Sequence, residues 1–144
     1  MPMFRRVDDS LTVSPQILPH EVAEIRAAGF VAIVNNRPDD EEPGQPAGDA
    51  IRAAAEAEGM AYTAIPVTHA GFSGAQVSAM AEALGAADGP VFAFCRSGTR
   101  SVNLWALASA GKGADAATLI EKAAGAGYDI SGIRPLLDQL SGKA

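Results

Sequence analysis

The sequence predicts an α/β fold with a mainly parallel sheet of four to five strands flanked by helices. Three observations carry that expectation. Short apolar runs at residues 30–34 and 91–94 lack polar alternation and read as strands covered on both faces. Such runs alternate along the chain with segments of helical length and periodicity. Turn residues separate the two, as at Ser14-Pro15, Gly59 and Asp88-Gly89-Pro90. The 144 residues fit one domain, and hydrophobic residues make up 48% of them. Many are alanines, which bury little area each, so helices should pack closely against the sheet.

Residues 11–13 read as a short first strand, broken by Ser14-Pro15. Pro19 then opens a helix, where a missing N–H costs nothing, with Glu21 and Glu24 in its early turns. Val22, Ile25 and Ala28 keep helical spacing, and Gly29 ends the segment. After the strand at 30–34 comes a loop of Asn35, Asn36, Arg37, Pro38 and the acidic run 39–42, prolonged by Pro43, Gly44 and Pro46. An alanine-rich helix is expected over 47–58, a strand over 62–67, a loop over 68–74 and a helix over 75–86. The strand at 91–94 leads to Cys95, a helix follows over 99–110, and the tail is helical over 114–124 and 130–141. Ligands of such sheets bind beyond the carboxyl ends of the strands. The loops 35–46, 68–74 and 95–100 all lie there by this reading.

The formal net charge of −6 and the lack of any basic stripe argue against a nucleic-acid partner, whose phosphates need Lys and Arg. A single cysteine excludes an internal disulfide and a Cys-rich metal site, and fits a reducing compartment. The polar N-terminal ten residues contain no apolar signal segment, and no apolar run approaches the ~18 residues of a membrane span. The expected location is cytoplasmic. No cofactor is called for, and the two histidines, His20 and His69, have no ligand motif around them for a metal.

The chemistry sits at Cys95-Arg96-Ser97-Gly98-Thr99-Arg100-Ser101. A buried strand ends on a cysteine, a polar loop with a central glycine follows, and an arginine opens a helix. Backbone N–H groups of such a loop and the helix N-terminus make an anion cradle. Arg96 and Arg100 can donate to an oxyanion, and the same field favours the nucleophilic thiolate. A lone cysteine is more often a small buried hydrophobe. Here the order of strand, Cys, glycine loop, Arg and helix is what nucleophile activation requires, so Cys95 and Arg100 are read as catalytic. Arg96, Ser97, Gly98, Thr99 and Ser101 are read as the anion-binding loop, with Ser101 as anion ligand or helix cap.

This loop resembles the active-site loop of single-domain rhodanese-type sulfurtransferases, in which a cysteine carries sulfane sulfur as a persulfide. The rest of the chain resembles tyrosine- and dual-specificity-phosphatase-like domains through Val13-Ser14-Pro15-Gln16-Ile17, Gly29-Phe30, Val34-Asn35-Asn36-Arg37-Pro38-Asp39, Tyr62 with Ile65-Pro66-Val67, and Gly89-Pro90. Together these features resemble the beta-lactamase hydrolase-like protein, phosphatase-like domain family, also described as DUF442, over nearly the whole chain to about residue 110. The resemblance implies a phosphatase-like fold and either phosphatase or sulfur-transfer activity on a small anionic or persulfide substrate. Some relatives are fused to sulfur-oxidising domains, which implies a sulfur-metabolism partner protein.

Three features favour sulfur transfer. The phosphatase signature has one residue more between Cys and Arg than the four found here, so this cradle is expected to be smaller. Those phosphatases carry His before the cysteine, where this chain has Phe94. They also place an acidic proton donor on the loop that here runs over 68–74 without Asp or Glu. Thiol-to-thiol sulfur transfer has less need of a donor. The preferred expectation is therefore a sulfurtransferase working through a Cys95 persulfide. The alternatives are a cysteine phosphatase with a phosphocysteine intermediate and a non-enzymatic anion-binding module. Arg37, Asp39 and His69 are accessory candidates. Arg37 would reach the anion or pair with the loop carboxylates, and His69 or Asp39 would supply a proton. The acidic run itself reads as a solvated loop. Trp105, with Leu104 and Leu107 at helical spacing, reads as core, Tyr62 as sheet packing, and His20 as exposed.

Overall fold

The computed structural model describes residues 3–142. Met1, Pro2 and the last two residues, which enter the polar N-terminus and the one-domain expectation above, lie outside the described residues.

Five strands, β1 (Arg5–Arg6), β2 (Leu11–Ser14), β3 (Ala32–Asn35), β4 (Ala61–Ala64) and β5 (Val91–Phe94), form one sheet in the order β1-β2-β5-β3-β4. Only β1 runs antiparallel. It is a charged two-residue edge strand with no apolar signature, so nothing in the sequence marks it. The central strand β5 pairs with β2 and β3 over all four residues. Its alternate side chains enter opposite cores. Val91 and Ala93 join one cluster, Phe92 and Phe94 the other, and all four are buried. Burial of each phenylalanine contributes about 1.5–3 kcal/mol.

One core lies beneath α1 (Val22–Ala27) and α2 (Gly48–Ala57), through Val22, Ile25, Ile51 and Ala55. The other holds α3 (Gly74–Ala86), α4 (Thr99–Gly111), α5 (Ala116–Gly125) and α6 (Arg134–Ser141). It is built on Met80, Leu104, Trp105, Leu107, Leu119 and Leu137. Trp105 is thus core, as its spacing predicts, and His20 is exposed.

Three elements depart from expectation. The tail helix expected over 130–141 starts with a 3-10 turn, Ser131–Ile133, and α6 follows it. Pro19 opens a 3-10 turn, Pro19–Glu21, before α1 begins: the N–H groups of Glu21 and Val22 donate to carbonyls three residues back, those of Leu18 and Pro19. The strand expected over 62–67 is regular only over Ala61–Ala64 and forms the far edge of the sheet. Past it, the N–H groups of Ile65 and Val67 still donate to the carbonyls of Asn35 and Asn36, while the intervening Pro66 has no N–H to donate. Among the described residues no helix is long and apolar enough to cross a membrane.

Candidate active site

Cys95 follows β5 directly and is fully buried. The chain then turns sharply, and the N–H of Gly98 donates to Cys95 Sγ at 3.0 Å. Gly98 holds φ at +95°, in the left-handed region, and occupies the N-cap position of α4. Ser101 is the third residue of the helix, so it does not cap it, which corrects that half of the expectation. It is buried, and its hydroxyl has no hydrogen-bond partner among the described residues. Ser97 Oγ lies 3.0 Å from Thr99 Oγ1, and both side chains face outward.

Arg100 stands on the first turn of α4. Its Nη1 donates to Glu41 Oε2 and to the Val67 carbonyl, both at 2.7 Å, and its Nη2 donates to Glu41 Oε1 at 2.8 Å. Three of the five guanidinium N–H donors are thereby engaged by protein oxygens. The Nε–H and the second Nη2–H remain as a fork for the sulfur or a bound anion. The guanidinium pKa is raised, first by the Glu41 hydrogen bonds, against the opposing effect of burial, and further by Cys95.

The acidic run is exposed over residues 39–42, as its reading as a solvated loop expects, but two of its carboxylates, Glu41 and Glu42, are also built into this site. Arg37 is buried and donates from Nε to Glu41 at 2.9 Å, from Nη2 to Glu42 at 3.0 Å and from Nη1 to Gln16 at 3.1 Å. It therefore pairs with the loop carboxylates and does not line the cleft over the loop. Gln45 closes the loop, accepting from the Glu41 N–H and donating to the Pro38 carbonyl. Two guanidinium groups hold the Glu41 carboxyl at a pKa of about 2, the Arg100 hydrogen bond being the largest cause. Glu41 is thus a carboxylate at neutral pH and no proton donor.

A cleft of about 620 Å³ lies over the loop, lined by Glu41, His69, Phe72, Arg96, Ser97 and Arg100 among others. Arg96 is largely exposed there, with Glu42 3.6 Å away. His69 is in the cleft, as its loop position suggested. Asp39 is not: its carboxylate accepts the Gly48 N–H at 2.8 Å at the start of α2. Tyr62 is more than sheet packing, since it accepts from Asn35 Nδ2 at 3.0 Å and donates to the Gly48 carbonyl.

Sequence reasoning missed Glu41, whose side chain could be located only once the loop closed. It also missed Tyr128, whose hydroxyl donates to the Ser97 carbonyl at 2.8 Å from the far end of the chain.

Residues 3–112 match the family described as beta-lactamase hydrolase-like protein, phosphatase-like domain. The beta-lactamase hydrolase-like protein of Agrobacterium fabrum is 40% identical over 105 residues, 73% of this chain and 24% of that protein. The chain spans about a quarter of the length of the curated relatives it matches. The crystal structure of a candidate phosphatase from Neisseria meningitidis superposes with a TM-score of 0.80 at 32% identity, covering 94% of this chain and 96% of that one. Tk-PTP in its active form superposes at 0.73 and 19% identity, covering 98% and 97%, a likeness of fold. Profile, relatives and geometry agree that this chain belongs to the beta-lactamase hydrolase-like protein, phosphatase-like domain family, with a tyrosine/dual-specificity-phosphatase-like fold.

Proposed function

We propose that the chain is a cysteine-dependent phosphatase acting on a small phosphate ester. The observation that carries this reading is the pairing of Cys95 Sγ, which accepts the Gly98 N–H, with an Arg100 fork steered by Glu41. The fork leaves two parallel donors for a phosphoryl oxygen pair, the geometry at which arginine excels. The likeness to the Neisseria candidate phosphatase supports the same reading.

The Cys95 thiolate attacks phosphorus, a P–S bond forms, and the ester P–O bond breaks. His69, in the cleft, protonates the departing alkoxide. Water then attacks the phosphocysteine, releasing phosphate and the thiolate, with its proton taken up by His69. The loop N–H groups, Arg100 and the buried Ser101 hydroxyl stabilise the charge that moves between sulfur and oxygen.

The expectation of sulfur transfer gives way here. It rested on loop length, on Phe94 and on the lack of an acid over 68–74, and the family and the phosphatase-like structural neighbour support phosphate hydrolysis better. The missing residue and Phe94 still favour sulfur transfer as a second reading, with a Cys95 persulfide accepting from a sulfane donor and giving to a thiol. A cytoplasmic location suits the single thiol. The burial of Leu119, Ile130 and Leu137 in the core of α4 supports one functional unit over the whole chain.

A paired assay decides. Hydrolysis of an aryl phosphate and sulfur transfer from thiosulfate to cyanide are followed on one preparation, beside Cys95→Ser. Phosphate release that the substitution abolishes is the expected result. Cys95-dependent sulfur transfer without phosphate release overturns the proposal. Neither activity, with phosphate binding that survives Cys95→Ser, identifies an anion-binding module.

A further inference from the structure

We propose that Tyr128 is a positioning residue for the nucleophile, acting on Cys95 through a single peptide group. The Tyr128 hydroxyl donates to the Ser97 carbonyl at 2.8 Å, and the Gly98 N–H donates to Cys95 Sγ at 3.0 Å. That carbonyl and that N–H belong to the same planar amide. Anchoring the oxygen therefore aims the N–H at the sulfur. A donor on an amide oxygen also polarises the amide and strengthens its N–H as a donor, so the two bonds reinforce each other. Hydrogen bonding to the charged form favours the thiolate.

Tyr128 is held for this task from several sides. Its own N–H donates to the Ala123 carbonyl at the end of α5. The Arg5 guanidinium lies 5.6 Å from its ring centroid, a cation over the aromatic face. Gly127, at φ +97°, leaves room for Arg5: a Cβ there would stand 3.2 Å from Arg5 Nη1. A Cβ on Gly98 would stand 2.1 Å from the Tyr128 hydroxyl oxygen, so hydroxyl and loop are in direct contact. Burial raises the phenol pKa, Arg5 opposes this and Cys95 adds to it, which keeps the hydroxyl a donor at neutral pH. Tyr128 lies beyond the family match at residues 3–112, so the tail adds a contact to a loop the matched part already contains.

The inference rests on Cys95 being the nucleophile and on neither of the two reactions. The charged and titratable groups around the sulfur are Arg100, held by Glu41, and Tyr128 beneath Arg5, with Arg96 and His69 in the cleft. Because Cys95 is the only cysteine, iodoacetamide alkylation of the intact chain reads this thiol alone. The test is the alkylation rate against pH for wild type and Tyr128→Phe, with Cys95→Ser as blank and a thermal melt beside each. The plateau at high pH reports access, and the midpoint reports thiolate stabilisation.

The midpoint of Tyr128→Phe should move to higher pH, with the rate at pH 7 lower by about three- to tenfold. An unchanged or lower midpoint overturns the proposal, whatever the plateau does. Should Tyr128→Phe fail to fold, Arg5→Leu decides, because it keeps the hydroxyl and removes the cation behind it. A midpoint moved upward then supports the relay, and an unmoved one overturns it. Phosphatase turnover does not enter the readout, so a failure of the proposed reaction leaves this result separately interpretable.

Discussion

Glu41 holds two arginines with one carboxylate, and each contact has a distinct consequence. Through Arg37 it is tied to a buried cation that also binds Glu42 and Gln16, and through Arg100 it steers the guanidinium toward Cys95. Glu41→Gln removes the charge while keeping the shape. We expect kcat/KM to fall by roughly ten- to a hundredfold, the loss of about 1.4–2.8 kcal/mol of transition-state stabilisation, as steady-state kinetics would show. The same pairing makes a pH prediction. The Glu41 pKa is depressed from its ordinary 4.5 to about 2, so its contribution to stability is in full above 4.5 and is lost as pH falls through about 2. Acid unfolding curves of wild type and Glu41→Gln should diverge above pH 4.5 and converge near 2; parallel curves throughout would refute the assignment.

The turn between β5 and α4 concentrates the constraints at the element scale. Gly98 adopts φ +95°, donates to the sulfur and lies against Tyr128. An alanine there is strained by about 1–2 kcal/mol from backbone conformation alone, before the clash with the phenol. Gly98→Ala is therefore expected to lower the melting temperature and slow alkylation of Cys95. Adding Tyr128→Ala should recover part of the stability by removing the clash, but none of the reactivity. A double variant no more stable than Gly98→Ala would place the whole cost in the backbone. The loop carrying His69 is fixed at its other end by a capping box. There Ser73 Oγ accepts the Gln76 N–H and Gln76 Oε1 accepts the Ser73 N–H. Ser73→Ala should cost about 1 kcal/mol of stability in urea unfolding and affect turnover through His69.

At the scale of the molecule, the helices after residue 112 close the core that supports the loop after Cys95. Leu137 on α6 is fully buried in the cluster that contains Leu104, Trp105 and Leu107 of α4. Leu137→Ala should destabilise the chain by about 2–5 kcal/mol, measured as a shifted urea midpoint at unchanged slope. A cost below that range would show that the site collapses around the deletion. The two faces of the sheet divide the work. Beneath α1 and α2 the aromatic cluster of Phe30, Phe92 and Phe94 holds the sheet, and the opposite face carries α4, whose N-terminus begins at the Gly98 turn after Cys95.

The strands β3 and β5, the helix after Cys95 and the glycine turn between them were legible because their signals are local. An apolar run, a glycine and a helix start are properties of neighbouring residues. The same locality explains what stayed hidden. β1 exists only because Arg5 and Arg6 lie along Val13 and Thr12, and pairing of backbones leaves no mark on such a short charged segment. The grip of Glu41 on Arg100 joins residues 59 positions apart in the chain, and buried Arg37 reaches Gln16 across 21. Tyr128 reaches Ser97 across 31. Loop length suggested a smaller cradle and sulfur chemistry, but the direction of a guanidinium is set by its partners. By itself, the sequence determined the strand that ends on Cys95, the glycine turn and helix start that follow it, and the α/β frame, because these are written in contiguous residues. Only the tertiary structure decided which carboxylate holds Arg100, that Asp39 turns away from the cleft and which tyrosine braces the loop, because those contacts come into being when distant segments pack.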